Sequence, residues 1–150
     1  MECSIREAQF SDLKEIRELV CELAVFERAP DAVTASLADY QRLFKEHLFE
    51  CLVAETDGKI IGICLYYAAF STWKGKMMYL EDLIVTKAYR GQGVGKLLLE
   101  AFLQKSEQKQ AVLAKWQVLD WNTDAIDFYE KMGALVEKGW WNVKKGLTNG

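Results

Sequence analysis

The sequence predicts an α+β domain, a mixed, mostly antiparallel sheet of six to seven strands flanked by about four helices. Three observations carry that prediction. Three consecutive apolar runs between residues 50 and 85 are separated by short turns, which reads as an antiparallel meander. Two stripes of helical period come before it. After it the pattern changes to a glycine-rich turn, helix, strand and helix, which is a crossover. The 150 residues are 51% hydrophobic and 27% charged, a globular rather than a disordered balance. One domain over residues 1–150 is expected, because a split would leave neither half much core.

The elements follow in chain order. Ser4 to Ala8 forms a short strand. Ser11 or Asp12 can cap a helix by accepting a bond from a free backbone N–H. Leu13, Ile16, Val20, Leu23 and Phe26 then recur at spacings of 3 and 4, and Pro30 and Asp31 end that element. Thr34 can cap a second helix carrying Leu37, Tyr40, Phe44 and Leu48. Glu50 to Glu55 is a strand, and Asp57-Gly58 has the preference of a two-residue type I′ hairpin turn. Lys59 to Phe70 and Lys76 to Val85 are the next strands, joined by a turn over Ser71 to Gly75. Leu97 to Gln108 is helical and Val112 to Leu119 a strand. Asn122 caps a last helix that runs to Met132, with Gly133 as its left-handed stop. Ala134 to Val136 and Trp140 to Val143 read as two final strands.

Composition removes several functions. Lys plus Arg is 19 and Asp plus Glu is 22, a formal charge of −3. That argues against a nucleic-acid partner held on a basic face. His47 is the only histidine, so sites needing two or more histidines are excluded and no metal is expected. Cys3, Cys21, Cys51 and Cys64 make no C-x-x-C pair, and each, lying among apolar or helical neighbours, reads as a buried reduced thiol. Met1-Glu2-Cys3-Ser4 lacks a signal pattern, and the apolar stretch from Ile60 to Phe70 is too short to span a bilayer. No membrane partner is expected, and the expected location is the cytoplasm.

The residues that carry chemistry centre on Arg90-Gly91-Gln92-Gly93-Val94-Gly95, which follows the apolar Leu83-Ile84-Val85 and opens a helix. Glycines let the backbone approach a ligand closely. Free N–H groups at a helix start attract an anion, with help from the dipole. Arg90 and Lys96 add charge. A Walker loop would need Ser or Thr after Gly95-Lys96, where Leu97 stands. The spacing is not G-x-G-x-x-G either, and a dinucleotide fold would place the loop after the first strand of a parallel sheet. The plain alternative is a glycine-rich turn with no ligand.

This hexapeptide resembles the pyrophosphate signature, Arg/Gln-x-x-Gly-x-Gly/Ala, of the GNAT family of N-acetyltransferases. Asn122 and the helix with Phe128-Tyr129, then Lys131-Met132-Gly133-Ala134, are similar to a second family feature. Ser71-Thr72-Trp73-Lys74-Gly75-Lys76, Tyr79-Leu80-Glu81-Asp82 and Val118-Leu119-Asp120-Trp121-Asn122 resemble the diamine (spermidine/spermine) acetyltransferase subfamily, and within it the thialysine Nε-acetyltransferase branch.

The resemblance implies the GNAT fold, acetyl-CoA as cosubstrate, a small cationic amine as acceptor and a homodimer. It implies that Leu83, Ile84 and Val85 pair with the pantetheine arm beside a β-bulge. Gly91, Gln92, Gly93, Val94 and Gly95, with Arg90 and Lys96, would hold the pyrophosphate. Asn122, Thr123, Asp124, Ala125, Phe128 and Tyr129 would flank the cofactor. Glu81 would act as general base through a water, and Tyr129 as the acid that protonates the departing thiolate. Glu27, Trp73, Glu81 and Asp82 would bind substrate. Read as residues alone, Glu81 and Asp82 are equally edge-strand charges, Tyr129 a core aromatic, Glu27 a solvated helix charge and Trp73 loop packing. Trp121, Trp140 and Trp141 read as core or interface.

Two departures from the family pattern stand out. Thr123-Asp124 replaces a proline that some relatives carry, which changes the first turn of that helix. The tail after Trp141 is short, and in related dimers that segment helps build the interface. The alternatives to a small-amine acetyltransferase are a protein or peptide N-acetyltransferase and a non-catalytic acyl-CoA-binding module. Glu81 and Tyr129 together weigh against the last, since a sensor needs no acid and base.

Overall fold

The computed structural model describes residues 2–148 and contains two compact units, Met1–Gln117 and Val118–Gly150. The first unit holds a five-stranded sheet in the order β1-β2-β3-β4-β5. Its strands are β1 (Ser4–Glu7), β2 (Glu50–Thr56), β3 (Lys59–Ser71), β4 (Gly75–Val85) and β5 (Leu113–Lys115). The first four are antiparallel neighbours, and β5 lies parallel to β4. A parallel neighbour requires a crossover, supplied here by helix α3 (Val94–Gln108).

Two helices precede the meander, α1 (Leu13–Phe26) and α2 (Leu37–Lys45). Leu13, Ile16 and Leu19 of α1 pack on Val53, Ile63, Leu65 and Ile84 of the sheet. The other face meets α3. Tyr66 and Phe102 rings lie 5.2 Å apart there, and the Cys64 thiol donates to Leu98 O at 3.7 Å. Leu98, Leu99 and Phe102 are wholly buried; each such side chain contributes about 1.5–3 kcal/mol.

Local chemistry sets the joints. Asp57 and Gly58 have φ of 51° and 72°, the positive pair that a type I′ hairpin demands. Ser36, not Thr34, caps α2: Asp39 N–H donates to Ser36 Oγ at 3.1 Å, and Ser36 N–H donates to the Asp39 carboxylate at 2.8 Å. This reciprocal box satisfies two otherwise orphaned donors. Asp12 precedes α1, but its carboxylate accepts from Gln9 N–H and Arg6 rather than from the helix. Helix α1 stops at Phe26, ahead of Pro30, and Arg28 turns the chain at φ 63°.

Two bulges bend the sheet. Ala54 pairs with Gly62 and Glu55 with Ile60, so Ile61 is the extra residue. Leu65 pairs with Asp82 and Tyr66 with Leu80, so Glu81 is the extra residue. β5 pairs with β4 only over Met77–Tyr79. Beyond Tyr79, the outer edge of β4 has no strand on it among the described residues.

The second unit contains α4 (Thr123–Lys131), capped by Asn122, whose side chain accepts from Ala125 N–H at 3.3 Å. It ends where expected: Gly133 has φ 88°, and Ala134 N–H donates to Tyr129 O at 3.0 Å.

The strand count expected from sequence is corrected from six or seven to five among the described residues. The strand expected over 112–119 is only Leu113–Lys115, since its ladder partner bends away at the bulge. Ala134 to Val136 and Trp140 to Val143 form no ladder. Alternation is a local property, but a strand exists only beside a partner edge. Trp140 and Trp141 are 82% and 90% exposed rather than core.

Candidate functional site

The first unit carries two site features, built from the C-terminal end and the middle of one strand. At the C-terminal end of β4 the chain makes a 3-10 turn over Lys87–Tyr89, then the glycine loop, then α3. Gly91 and Gly93 have φ of 76° and 84°. Nothing lies within 4 Å of where a Cβ would stand on either. Both conditions matter: the backbone is in a region that L-residues avoid, and its surface is open to a ligand. Gly93 caps α3 without a side-chain bond. The N–H groups of Val94, Gly95 and Lys96 open the helix, where no intrahelical acceptor exists. The residues present therefore fit a pyrophosphate.

The charged side chains of the loop divide their work. Arg90 Nε donates to Val85 O at 2.9 Å, and its guanidinium lies 5.3 Å from the Phe26 ring centroid and 3.9 Å from Glu22 Oε1. Arg90 thus ties the loop back to β4 and α1 while adding positive potential. Lys96 stands exposed, 4.0 Å from Glu100; a surface pair of that length binds its ammonium weakly. Glu22 was not legible as a loop anchor in the sequence. Its Oε1 accepts from Thr86 Oγ1 at 3.2 Å and Lys87 N–H at 3.1 Å.

Gly62 is a second residue with a hidden role. A Cβ there would meet Ile84 O at 2.9 Å and Leu98 Cδ1 at 3.0 Å. Its missing side chain lets the first turns of α3 sit close on the sheet, which sets where the loop stands. A lone glycine in an apolar strand was the available signal.

The middle of β4 forms the second feature, a cavity of about 370 Å³. Its walls come from α1, the α1–α2 connection, α2 and the sheet, including Leu23, Tyr40, Phe49 and Leu65. Glu27, Glu81 and Asp82 also line it. The bulge is what makes this possible. Alternation would send Glu81 and Asp82 to opposite faces. With Glu81 as the extra residue, Asp82 pairs across to Leu65, and both carboxylates reach the Leu65 face.

The electrostatics follow from burial among like charges. Burial, then Glu81 and Glu27, push the Asp82 carboxyl up to about 7. Burial also raises Glu27. Burial and the neighbouring Asp82 raise the Tyr40 phenol to about 12. Tyr67 O–H donates to Glu81 Oε2 at 2.9 Å. No Lys, Arg or His is among the described residues that line the cavity. A carboxyl that resists ionisation without a counter-charge is primed to accept a cation.

Of the residues expected at the site, Glu27, Glu81 and Asp82 come together. Trp73, at the β3–β4 turn, is 85% exposed and does not line this cavity. Leu83, Ile84 and Val85 lie on the stretch of β4 that β5 does not cover. In the second unit, Thr123, Asp124 and Ala125 form the first turn of α4, and the Phe128 and Tyr129 rings sit 5.5 Å apart on its later turns. Tyr40 and Tyr67 had no sequence signal beyond apolar periodicity.

The model of the acetyltransferase (GNAT) family matches residues 13–134. The chain is 37% identical to a thialysine N-epsilon-acetyltransferase of Bos taurus, over 91% of this chain and 88% of that protein. It is also 37% identical to spermidine/spermine N(1)-acetyltransferase-like protein 1 of Homo sapiens, over 91% of this chain but only 21% of that longer protein. Among solved structures, an aminoglycoside acetyltransferase from an uncultured soil metagenomic sample superposes with a TM-score of 0.81 at 22% identity, covering 97% of each chain. Because the family model covers most of the chain and a relative at 37% identity runs along nearly its whole length, the chain belongs to the GNAT family and is an N-acetyltransferase, a family that uses acetyl-CoA.

Proposed function

We propose that the chain moves an acetyl group from acetyl-CoA to a primary amine of a small substrate carrying more than one ammonium group, a diamine or polyamine. The observation that carries this reading is the cavity holding Glu27, Glu81 and Asp82 with no cationic side chain in its described lining. Apolar walls suit an alkyl chain, and three carboxylates suit its charged ends. An amino acid such as thialysine would also need a partner for its α-carboxylate, which this lining lacks. The identity to a thialysine acetyltransferase supports that amino acid as the second reading.

The roles divide as follows. The backbone of Gly91 to Lys96 binds the pyrophosphate, with Arg90 holding the loop. The uncovered edge of Leu83–Val85 takes the pantetheine arm, and the helix from Asn122 through Thr123, Asp124, Ala125, Phe128 and Tyr129 flanks the cofactor. The cofactor supplies an activated thioester. An ammonium has no lone pair, so it must lose a proton before it attacks. Glu81 takes that proton, directly or through water, an effect typically worth about 10²–10⁴-fold. Asp82 and Glu27 hold the remaining charge. Tyr129 gives its phenolic proton to the departing thiolate, and Trp73, on the turn outside the cavity, is left to meet only a substrate long enough to extend beyond it. A single domain over 1–150 and a homodimer are part of the same proposal, the dimer being checked by light scattering.

The test is a competition assay with spermidine, a short diamine, thialysine, lysine and a peptide, measured as acetyl-CoA consumption and product mass. Preference for the diamines is expected. Preference for thialysine moves the conclusion to the second reading, and turnover of the peptide alone overturns both.

A further inference from the structure

Glu81 is the extra residue of a bulge, and such residues have no ladder partner to fix their side chains. Here something else fixes it. Tyr67 and Tyr79 are direct cross-strand partners on β3 and β4. Their rings stack at 5.5 Å with an interplanar angle of 28°. The stack fixes the Tyr67 ring on the face that Leu65 shares, and its O–H donates to Glu81 Oε2 at 2.9 Å. Nothing in the alternation of the sequence distinguishes Tyr67 from Tyr66, which turns to the opposite face and packs on Phe102.

We infer that Tyr67 is a positioning residue for Glu81, its phenol holding the carboxylate in one orientation toward the cavity. This rests on the amine-acetyltransferase reading above. Oε2 is occupied by the phenol, and Oε1 takes the proton from the substrate ammonium, directly or through one water. The electron pair of that N–H bond stays on nitrogen as the attacking lone pair. Tyr67 keeps its own proton throughout: burial and the bond to Glu81 both hold its phenol well above the ordinary tyrosine range. Asp82 and Glu27 share the cavity with Glu81 and carry no such donor bond to Tyr67 among the described residues. The division is therefore one oriented base and two ligands for residual charge.

The experiment is a double-mutant cycle read as kcat and KM for an amine the wild type acetylates. Tyr67→Phe keeps the ring and the stack. It is expected to lower kcat roughly ten- to a hundredfold, the usual effect of losing one bond to a charged group, with KM within about twofold. In a Glu81→Gln background the same substitution is expected to change kcat less than about twofold, because the two residues act as one unit. Equal kcat in wild type and Tyr67→Phe, or independent multiplicative losses in the double variant, would overturn the proposal. A readout without turnover runs beside it: the 13Cζ resonance of labelled Tyr67 should move in Glu81→Gln and stay in Asp82→Asn. An unmoved resonance in Glu81→Gln overturns the proposal on its own. If the wild type acetylates no amine, the functional reading falls, and this assignment falls with it.

Discussion

The glycine loop and the acidic cavity are made from the same strand, yet they are built in opposite ways. The loop is contiguous. Seven neighbouring residues, Arg90 to Lys96, contain its backbone geometry and most of its charge, and Gly91 and Gly93 make it possible through φ alone. The cavity is dispersed. Glu27 comes from the end of α1, Tyr40 from α2, Leu65 from β3, and Glu81 and Asp82 from β4. A single extra residue in the β4 ladder decides whether its two acids share a face. An anion site can be written as a short motif because the backbone does the binding. A cation site made from carboxylates depends on where separate elements place them.

The sharpest way to separate the two is to remove the base. Glu81→Gln should lower kcat about 10²–10⁴-fold while leaving the affinity for CoA within about twofold, by steady-state kinetics and calorimetry. Gly93→Val does the reverse. A β-branched residue at φ 84° costs on the order of 1–3 kcal/mol, so CoA affinity should fall roughly ten- to a hundredfold. Diamine binding to the apo protein should persist.

Asp82 tests the cavity through pH. Its carboxyl is raised in the folded protein from an ordinary 3.8 to about 7, the reverse of the usual salt-bridged carboxylate. Between those values the folded chain holds a proton that the unfolded chain has lost. Stability from this group is therefore greatest near pH 4, declines as the pH rises to about 7 and is level above that. Comparing urea midpoints at pH 5 and pH 8, Asp82→Asn should remove a decline on the order of 1–3 kcal/mol. A diamine should bind more tightly across the same range and release a proton, which calorimetry in two buffers measures. A decline equal in wild type and variant would place its cause elsewhere.

The smallest effect links the two regions. Gly62→Ala puts a methyl 2.9 Å from Ile84 O, a backbone atom that cannot rotate away. Overpacking of this kind costs about 1–3 kcal/mol. The denaturation midpoint should fall, and CoA affinity should weaken by severalfold as the start of α3 is pushed outward. Unchanged affinity with lowered stability would mean the loop tolerates that shift.

Much was legible in the chain itself. The meander, the Asp57-Gly58 hairpin, the helix cap at Asn122 and the stop at Gly133 all depend on short-range chemistry, and all stand where local rules place them. The tail strands failed for a physical reason. Ala134 to Val136 and Trp140 to Val143 are rich in strand-favouring residues, but a ladder needs a pairing that no local pattern specifies, and Leu135, Trp140, Trp141 and Val143 all stay exposed.

Sequence alone determined the glycine loop, its place between strand and helix, and the list of acids. These follow from dihedral freedom, helix-end donors and composition, each a property of a few neighbours. Only the tertiary structure decided that Glu81 is the bulged residue, that Glu27 and Asp82 share its cavity, and that Tyr67 rather than Tyr66 holds it. The reason is register: one residue more or less in a strand reverses every side chain beyond it, and register is set by the partner strand rather than by the strand itself.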